Sequence, residues 1–313
     1  MLDNISLEFK DKSNAEKWFN ENKDKFAQYN KQEINFVDNS FSTYPIKADV
    51  ENLKFKITDK RAYLEGSMHK YWNNIKYKQL VLEGDNEEEN LYLKDNNWNE
   101  FYLVEIITAI EQLKLFFDGL NLNEADITTL EFGFNLNVNK TPSHYIDYNF
   151  LMYEFKHPFY DDENFRIKKF RHNKFEFKVY NKKEQYSLQD NILRVEIVIH
   201  SLELQKLAIS CIDDLQNPEV IEKINNFFYS RFQGFTIIDK RFHRKDIPLN
   251  VCNYIGNNFD SSYWKYLKRA NNLNRIKRLF KNTLENYELL KTRTYIMATI
   301  KKKFEKLFHG VYD

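Results

Sequence analysis

The sequence predicts an α+β fold: an antiparallel sheet covered by helices, followed by a helical C-terminal region. Three observations predict it. Short segments alternate apolar and polar residues with period two, the mark of half-buried strands. Longer segments between and after them repeat apolar residues every three or four positions, as amphipathic helices do. No glycine-rich phosphate loop occurs in a chain with only seven glycines, which excludes a P-loop ATPase and a dinucleotide-binding domain. The expected division is an α+β domain over 1–240 and a basic helical region over 241–313.

Taken in order, residues 14–29 place Ala15, Trp18, Phe19 and Phe26 at loosely helical spacing after a capping Ser13. A short strand is expected at 34–37. Residues 53–57 and 62–65 alternate around the turn-like Thr58–Asp59–Lys60–Arg61 and read as a hairpin. It runs into a polar, aromatic loop, "GSMHKYWNN", and a strand at 79–83. The helix over 99–120 is the clearest, with Leu103, Ile106, Ile107, Ile110, Leu113, Phe116 and Phe117 on its repeat and Gly119 as its stop. Residues 129–138 form a strand, 144–172 are irregular, and 175–180 and 193–200 are two strands joined by a polar connection. Helices follow at 202–214 and 218–232, with Pro218 in a first-turn position. Residues 241–258 read as loop-rich, and the pattern from 261 onward is helical.

The chain has 313 residues, 42% hydrophobic and 30% charged, with a mean hydropathy of −0.69. No apolar run approaches the ~20 residues of a membrane span. The first residues carry no secretory pattern, and the two cysteines, Cys211 and Cys252, are far apart. A cytoplasmic protein without a zinc module or disulfide scaffold is therefore expected. Net charge is only +1 but unevenly spread: Trp264 to Lys306 holds 13 Lys/Arg against three acids, about +10. Such asymmetry points to a basic face for an anionic partner. Lys265, Lys268, Arg269, Arg275, Lys277, Arg278 and Lys281 are dense enough to grip phosphates, with Tyr263, Trp264 and Tyr266 beside them.

Three strand segments each set one carboxylate among apolar neighbours: Glu65, Glu131 and Glu196. Such acids call for a partner, and hard oxygen ligands suit Mg²⁺ or Mn²⁺, with His69 near Glu65 tilting the choice toward Mn²⁺. Tyr180 and Glu196 are expected on the freer strand faces, with Lys182 just beyond. A solvent-facing hairpin with ordinary ion pairs is the simpler alternative.

Four blocks, "YLEGSMHKYWNN", "LEFGFNLNV", "FKVYNKK" and "ILRVEIVIHS", in this order resemble the replication initiation proteins of filamentous phages (the II/X type) and related rolling-circle plasmids. The resemblance spans roughly 55–201. It implies an HUH-like nickase fold and a metal-dependent endonuclease and strand transferase. Tyr180 would be the nicking residue, Lys182 or Lys183 its charge stabiliser, and Glu65, His69, Glu131 and Glu196 the metal ligands. Tyr186 is the second choice of nucleophile. Implied partners are origin or single-stranded DNA, a host helicase and a second copy of the chain, with no membrane. The His-hydrophobe-His pair common in the wider endonuclease class is absent, which puts the ligand set in question. A non-catalytic origin binder or repressor, or a structural protein with a basic tail, are the alternatives.

Overall fold

Alternating strands and amphipathic helices are both present, and the α+β class with a large antiparallel sheet is as expected. The structure, a computed structural model, describes residues 1–26, 33–34, 41–42, 44–146, 149–154, 159–160, 167–239, 246–258, 263–264, 266–267 and 273–310. In chain order the elements are β1 (Leu2–Phe9), α1 (Lys12–Glu21), β2 (Glu33–Ile34), β3 (Phe41–Ser42), β4 (Ile46–Val50), β5 (Leu53–Ile57), β6 (Ala62–Ser67) and α2 (Met68–Leu82). Then come α3 (Glu87–Asn90), α4 (Leu103–Phe116), β7 (Ala125–Asn137), α5 (Pro142–Ile146), β8 (Asn149–Tyr153), β9 (Phe159–Tyr160), β10 (Ile167–Arg171) and β11 (Phe175–Asn181). The chain continues with α6 (Lys182–Gln185), β12 (Ile192–His200), α7 (Ser201–Lys206), α8 (Pro218–Phe232), β13 (Phe235–Asp239), α9 (Leu249–Asn257), α10 (Leu273–Asn286) and α11 (Lys291–His309). The large sheet has the strand order β4-β5-β6-β1-β7-β12-β11-β10-β9.

Two compact units share these elements: Met1–Gly133 with Ile197–Asn226 and Glu305–Asp313, and Phe134–Glu196 with Phe227–Phe304. The expected split at residue 240 follows chain order; the units do not.

In the first unit, β4, β5, β6, β1 and the start of β7 pair antiparallel. Their apolar sides meet an aromatic core in which Trp18 and Phe117 lie 4.9 Å apart and Phe19 stacks on Phe55 at 6.0 Å. Helix α1 starts where Asp11 accepts the Asn14 N–H at 2.9 Å, two residues before the Ser13 cap expected. Gly66 sits opposite Leu53 at φ +145, where a Cβ would lie 2.6 Å from the Asn52 carbonyl oxygen; only glycine fits. Helix α2 corrects two expectations at once, since the supposed aromatic loop and the strand at 79–83 are one helix. Ser67 ends β6 and caps α2 by accepting the Lys70 N–H at 3.1 Å. The helix was hidden because its buried side includes His69, Asn73 and Asn74 as well as Met68, Tyr71 and Tyr77. Strand β1 was unread, although Ile5, Leu7 and Phe9 alternate along it.

In the second unit, β13 pairs with β8, and β9, β10 and β11 pair in turn. Residues 144–172, read as irregular, thus include three strands. Tyr153, Phe170, Phe177, Phe228, Phe232 and Phe235 form the aromatic core between them. A second apolar cluster joins Ile238, Ile247, Cys252, Ile255, Trp264, Phe280 and Leu284. Residues 249–257, within the stretch expected to be loop, are α9, introduced by Pro248 at its N-cap. Strand β12 is buried on both faces over Ile192–Ile199, so the expectation of a free face there does not hold. Among the described residues, no helix is long and apolar enough to cross a membrane.

Candidate functional site

Sequence alternation on β11 and β12 places Tyr180, Lys178, Arg194 and Glu196 in one polar cluster of the second unit. Glu196 is 3% exposed and is the hub. Its Oε2 accepts from Arg194 Nε at 2.8 Å, its Oε1 faces Lys178 Nζ at 3.3 Å, and the Tyr180 hydroxyl donates to Oε2 at 3.3 Å. Arg194, 2% exposed, also donates to Asn135 Oδ1 on β7 at 3.2 Å. A carboxylate this deep is tolerable because two cations compensate it. Tyr180, at 7% exposure, therefore points into a charged interior, neither into solvent nor into an apolar core.

Lys182 begins α6, where Asn181 caps by accepting the Glu184 N–H at 3.1 Å. Its side chain is fully buried, with Nζ 5.8 Å from the Tyr180 ring centre and 5.6 Å from that of Tyr186. The two candidate tyrosines thus share one ammonium, but Tyr186 is partly exposed. Lys183 is engaged elsewhere: Nζ donates to the Gln189 carbonyl at 2.7 Å and Asn191 Oδ1 at 3.1 Å, closing the connection to β12.

Several tyrosines outside the cluster are held above the ordinary phenol value. Burial pushes the Tyr145 phenol up to about 12 and raises Tyr153 further, and burial also raises Tyr71 and Tyr254. Tyr77 is raised chiefly by its hydrogen bond to Glu87.

In the first unit the expected ligands part company. Glu65 is exposed on β6, opposite Ser6 on one side and Lys54 on the other. His69 is 2% exposed, stacked on Phe101 at 4.6 Å, with Nε2 2.8 Å from Asn99 Oδ1. Among the described residues, neither belongs to a group of three metal-type side chains. Glu131 does meet another acid, Asp3, which sequence reasoning missed. The two are buried and offer oxygens within 4.8 Å of each other. Asn4 donates to Glu131, while Ser67 and Asn97 donate to Asp3, the latter at 2.8 Å. The signal for Asp3 was its place in the alternation of β1, one position from Leu2.

On the basic C-terminal stretch, Lys265, Lys268 and Arg269 lie outside the described residues. Arg275, Arg278 and Lys281 are exposed on α10 and Lys277 is partly so. Lys281 also faces Glu285 one turn on at 3.7 Å. No family model and no curated protein matches the chain.

Proposed function

We propose that the chain is a tyrosine-dependent nickase for single-stranded or origin DNA, of the rolling-circle initiator type. One observation carries the reading. Polar residues from three of the four resembling blocks, Asn135, Lys178 with Tyr180, and Arg194 with Glu196, meet in a single hydrogen-bonded cluster.

In this reading Glu196 Oε2 takes the Tyr180 proton, and the phenolate oxygen attacks phosphorus. The P–O3′ bond breaks, the departing oxygen takes up a proton to become a 3′-OH, and a 5′-phosphotyrosine remains. The bond energy is conserved, so the reverse transfer rejoins the strand. Lys182, beside the ring, favours the phenolate charge that forms, and Arg194 orients the Glu196 carboxylate. Mg²⁺ or Mn²⁺ is the proposed cofactor, which when bound would polarise a scissile phosphate. Asp3 and Glu131 would offer it two hard oxygen donors. A host helicase and a second copy of the chain are proposed partners on the resemblance alone.

A second reading moves the nucleophile to Tyr186, favoured by its exposure and its equal claim on Lys182. The test is a denaturing gel of the protein with end-labelled single-stranded origin DNA and Mg²⁺ or Mn²⁺. Tyr180→Phe should abolish the covalent band and Tyr186→Phe should keep it. The opposite result assigns Tyr186. Bands from both variants would reject this hairpin, and none from the wild type would favour a non-catalytic DNA binder.

A further inference from the structure

We infer that α10 is a recognition helix, whose outer side enters the major groove of duplex DNA and reads base edges there. The inference rests on the DNA reading above and deepens it, adding a duplex, sequence-selective mode of binding and the residues that select. Helix α10 is seated by burying Phe280 and Leu284, with Leu273 and Ile276 half-buried beside them. At 3.6 residues per turn, Arg275, Arg278, Leu279, Asn282 and Asn286 share an arc of about 100° on the opposite side. All five are exposed. Among the described residues, Arg275, Arg278 and Asn282 have no ion-pair or side-chain hydrogen-bond partner. The one acid of α10, Glu285, faces Lys281 at 3.7 Å.

The residue types on this side select the ligand. Lysine would serve to hold phosphates alone, yet the centre of the arc carries arginine and asparagine. Their paired polar groups match base edges: arginine meets O6 and N7 of guanine, and asparagine meets N6 and N7 of adenine. Leu279, 46% exposed, offers the apolar contact that a thymine methyl takes. Arg275 and Asn282 are seven residues apart, a rise of ~10.5 Å that spans about three base steps of ~3.4 Å. The major groove of B-form DNA admits a helix, and that of A-form duplex RNA does not. A bilayer would need the apolar side of α10, which is already buried. An acidic peptide would pair with the arginines and leave the asparagine amide and Leu279 unused.

The test is selection of random-sequence DNA duplexes by the full chain. Anisotropy titrations of an enriched and an unenriched duplex over a range of salt follow. The wild type should enrich a short motif containing guanine and adenine. Arg278→Lys keeps the charge and loses the planar fork, so affinity for the enriched duplex should fall about tenfold, within the range for one bidentate base contact. Its affinity for the unenriched duplex and its salt slope should stay as in the wild type. Asn282→Arg should change the motif, replacing an adenine by a guanine, a gain that misfolding does not produce. Lys17→Ala, an exposed charge of α1, serves as the control and should select the wild-type motif. No motif from the wild type would overturn the inference. So would wild-type affinity in Arg278→Lys together with the wild-type motif from Asn282→Arg, or equal affinity for duplex RNA of the enriched sequence. The covalent gel on single-stranded DNA is run in parallel. A selected motif with no adduct would keep the recognition helix and remove the nickase; an adduct with no motif would do the reverse.

Discussion

Each unit buries a carboxylate that accepts from a different kind of donor: hydroxyl and amide in the first, cations in the second. In the first, buried Asp3 accepts from the Ser67 hydroxyl and the Asn97 amide, and His69 and Asn73 both bond to Asn99. In the second, Arg194 and Lys178 converge on Glu196. A neutral donor can be lost at the cost of one hydrogen bond, whereas a lost ion-pair partner strands a charge in the interior. The comparison teaches that similar sequence signals, polar residues set into apolar strands and helices, end in networks with different tolerance to change.

The largest expected effect tests the ionic side. Arg194→Leu should lower unfolding stability by about 3–5 kcal/mol because it leaves Glu196 short of a cation. Adding Glu196→Leu should recover much of the loss, as measured by chemical denaturation. A loss from Arg194→Leu no larger than that of a surface substitution would break the contrast. On the amide side, Asn97→Ala should cost about 2 kcal/mol, the range for a hydrogen bond to a charged group. If thermal unfolding places it level with Arg194→Leu, the two interiors are energetically alike.

Asp214 offers a smaller, pH-dependent check in the first unit. Burial raises its carboxyl, but the Cys211 and Ser210 N–H groups, at 3.0 and 2.7 Å, outweigh that and hold it below the usual carboxylate range. A lowered folded value means its stabilisation is present above the unfolded value of about 3.9 and is lost as pH falls through the folded one. Asp214→Asn should therefore cost about 1 kcal/mol, a typical capping effect, at neutral pH. The difference from wild type should shrink in acid melts. A gap that widens toward low pH would contradict the assignment. Least of all, Lys281→Gln should change stability by no more than about 0.5 kcal/mol, since its pair with Glu285 is exposed. A larger loss would mean that α10 depends on its charges for folding.

Some of this was legible in the sequence. The hairpin of β11 and β12 was visible because period-two alternation survives there, and α4 because Ile106, Ile110 and Leu113 repeat at helical spacing. Pro218 marked the start of α8. What escaped was structure whose interior is polar. Helix α2 buries Asn73, Asn74 and His69, so its apolar stripe is broken and it read as loop and strand. Asp3 escaped with the strand that carries it. The pairing of Glu196 with Arg194 and Lys178 could not be read either, because alternation gives a residue's face and not its partners. For the same reason burial of both faces of β12 was missed.

The interleaving of the two units bears on how the protein can be cut and made. Each is assembled from pieces far apart in the chain: the first needs residues 1–133, 197–226 and the stretch from 305, and the second needs 134–196 and 227–304. The first unit reaches from one end of the chain to the other, and the shortest contiguous fragment that holds the second, 134–304, carries residues 197–226 of the first with it. A clone ending at residue 240 would leave the first unit without its last segment and the second without α9, α10 and most of α11. Contacts so distant in sequence close large loops before they repay them, so folding should be slow. During synthesis, the early strands must wait for partners translated much later, exposed meanwhile to chaperones and to one another. Circular permutation, which moves the break without removing a piece, is the form of dissection this architecture allows.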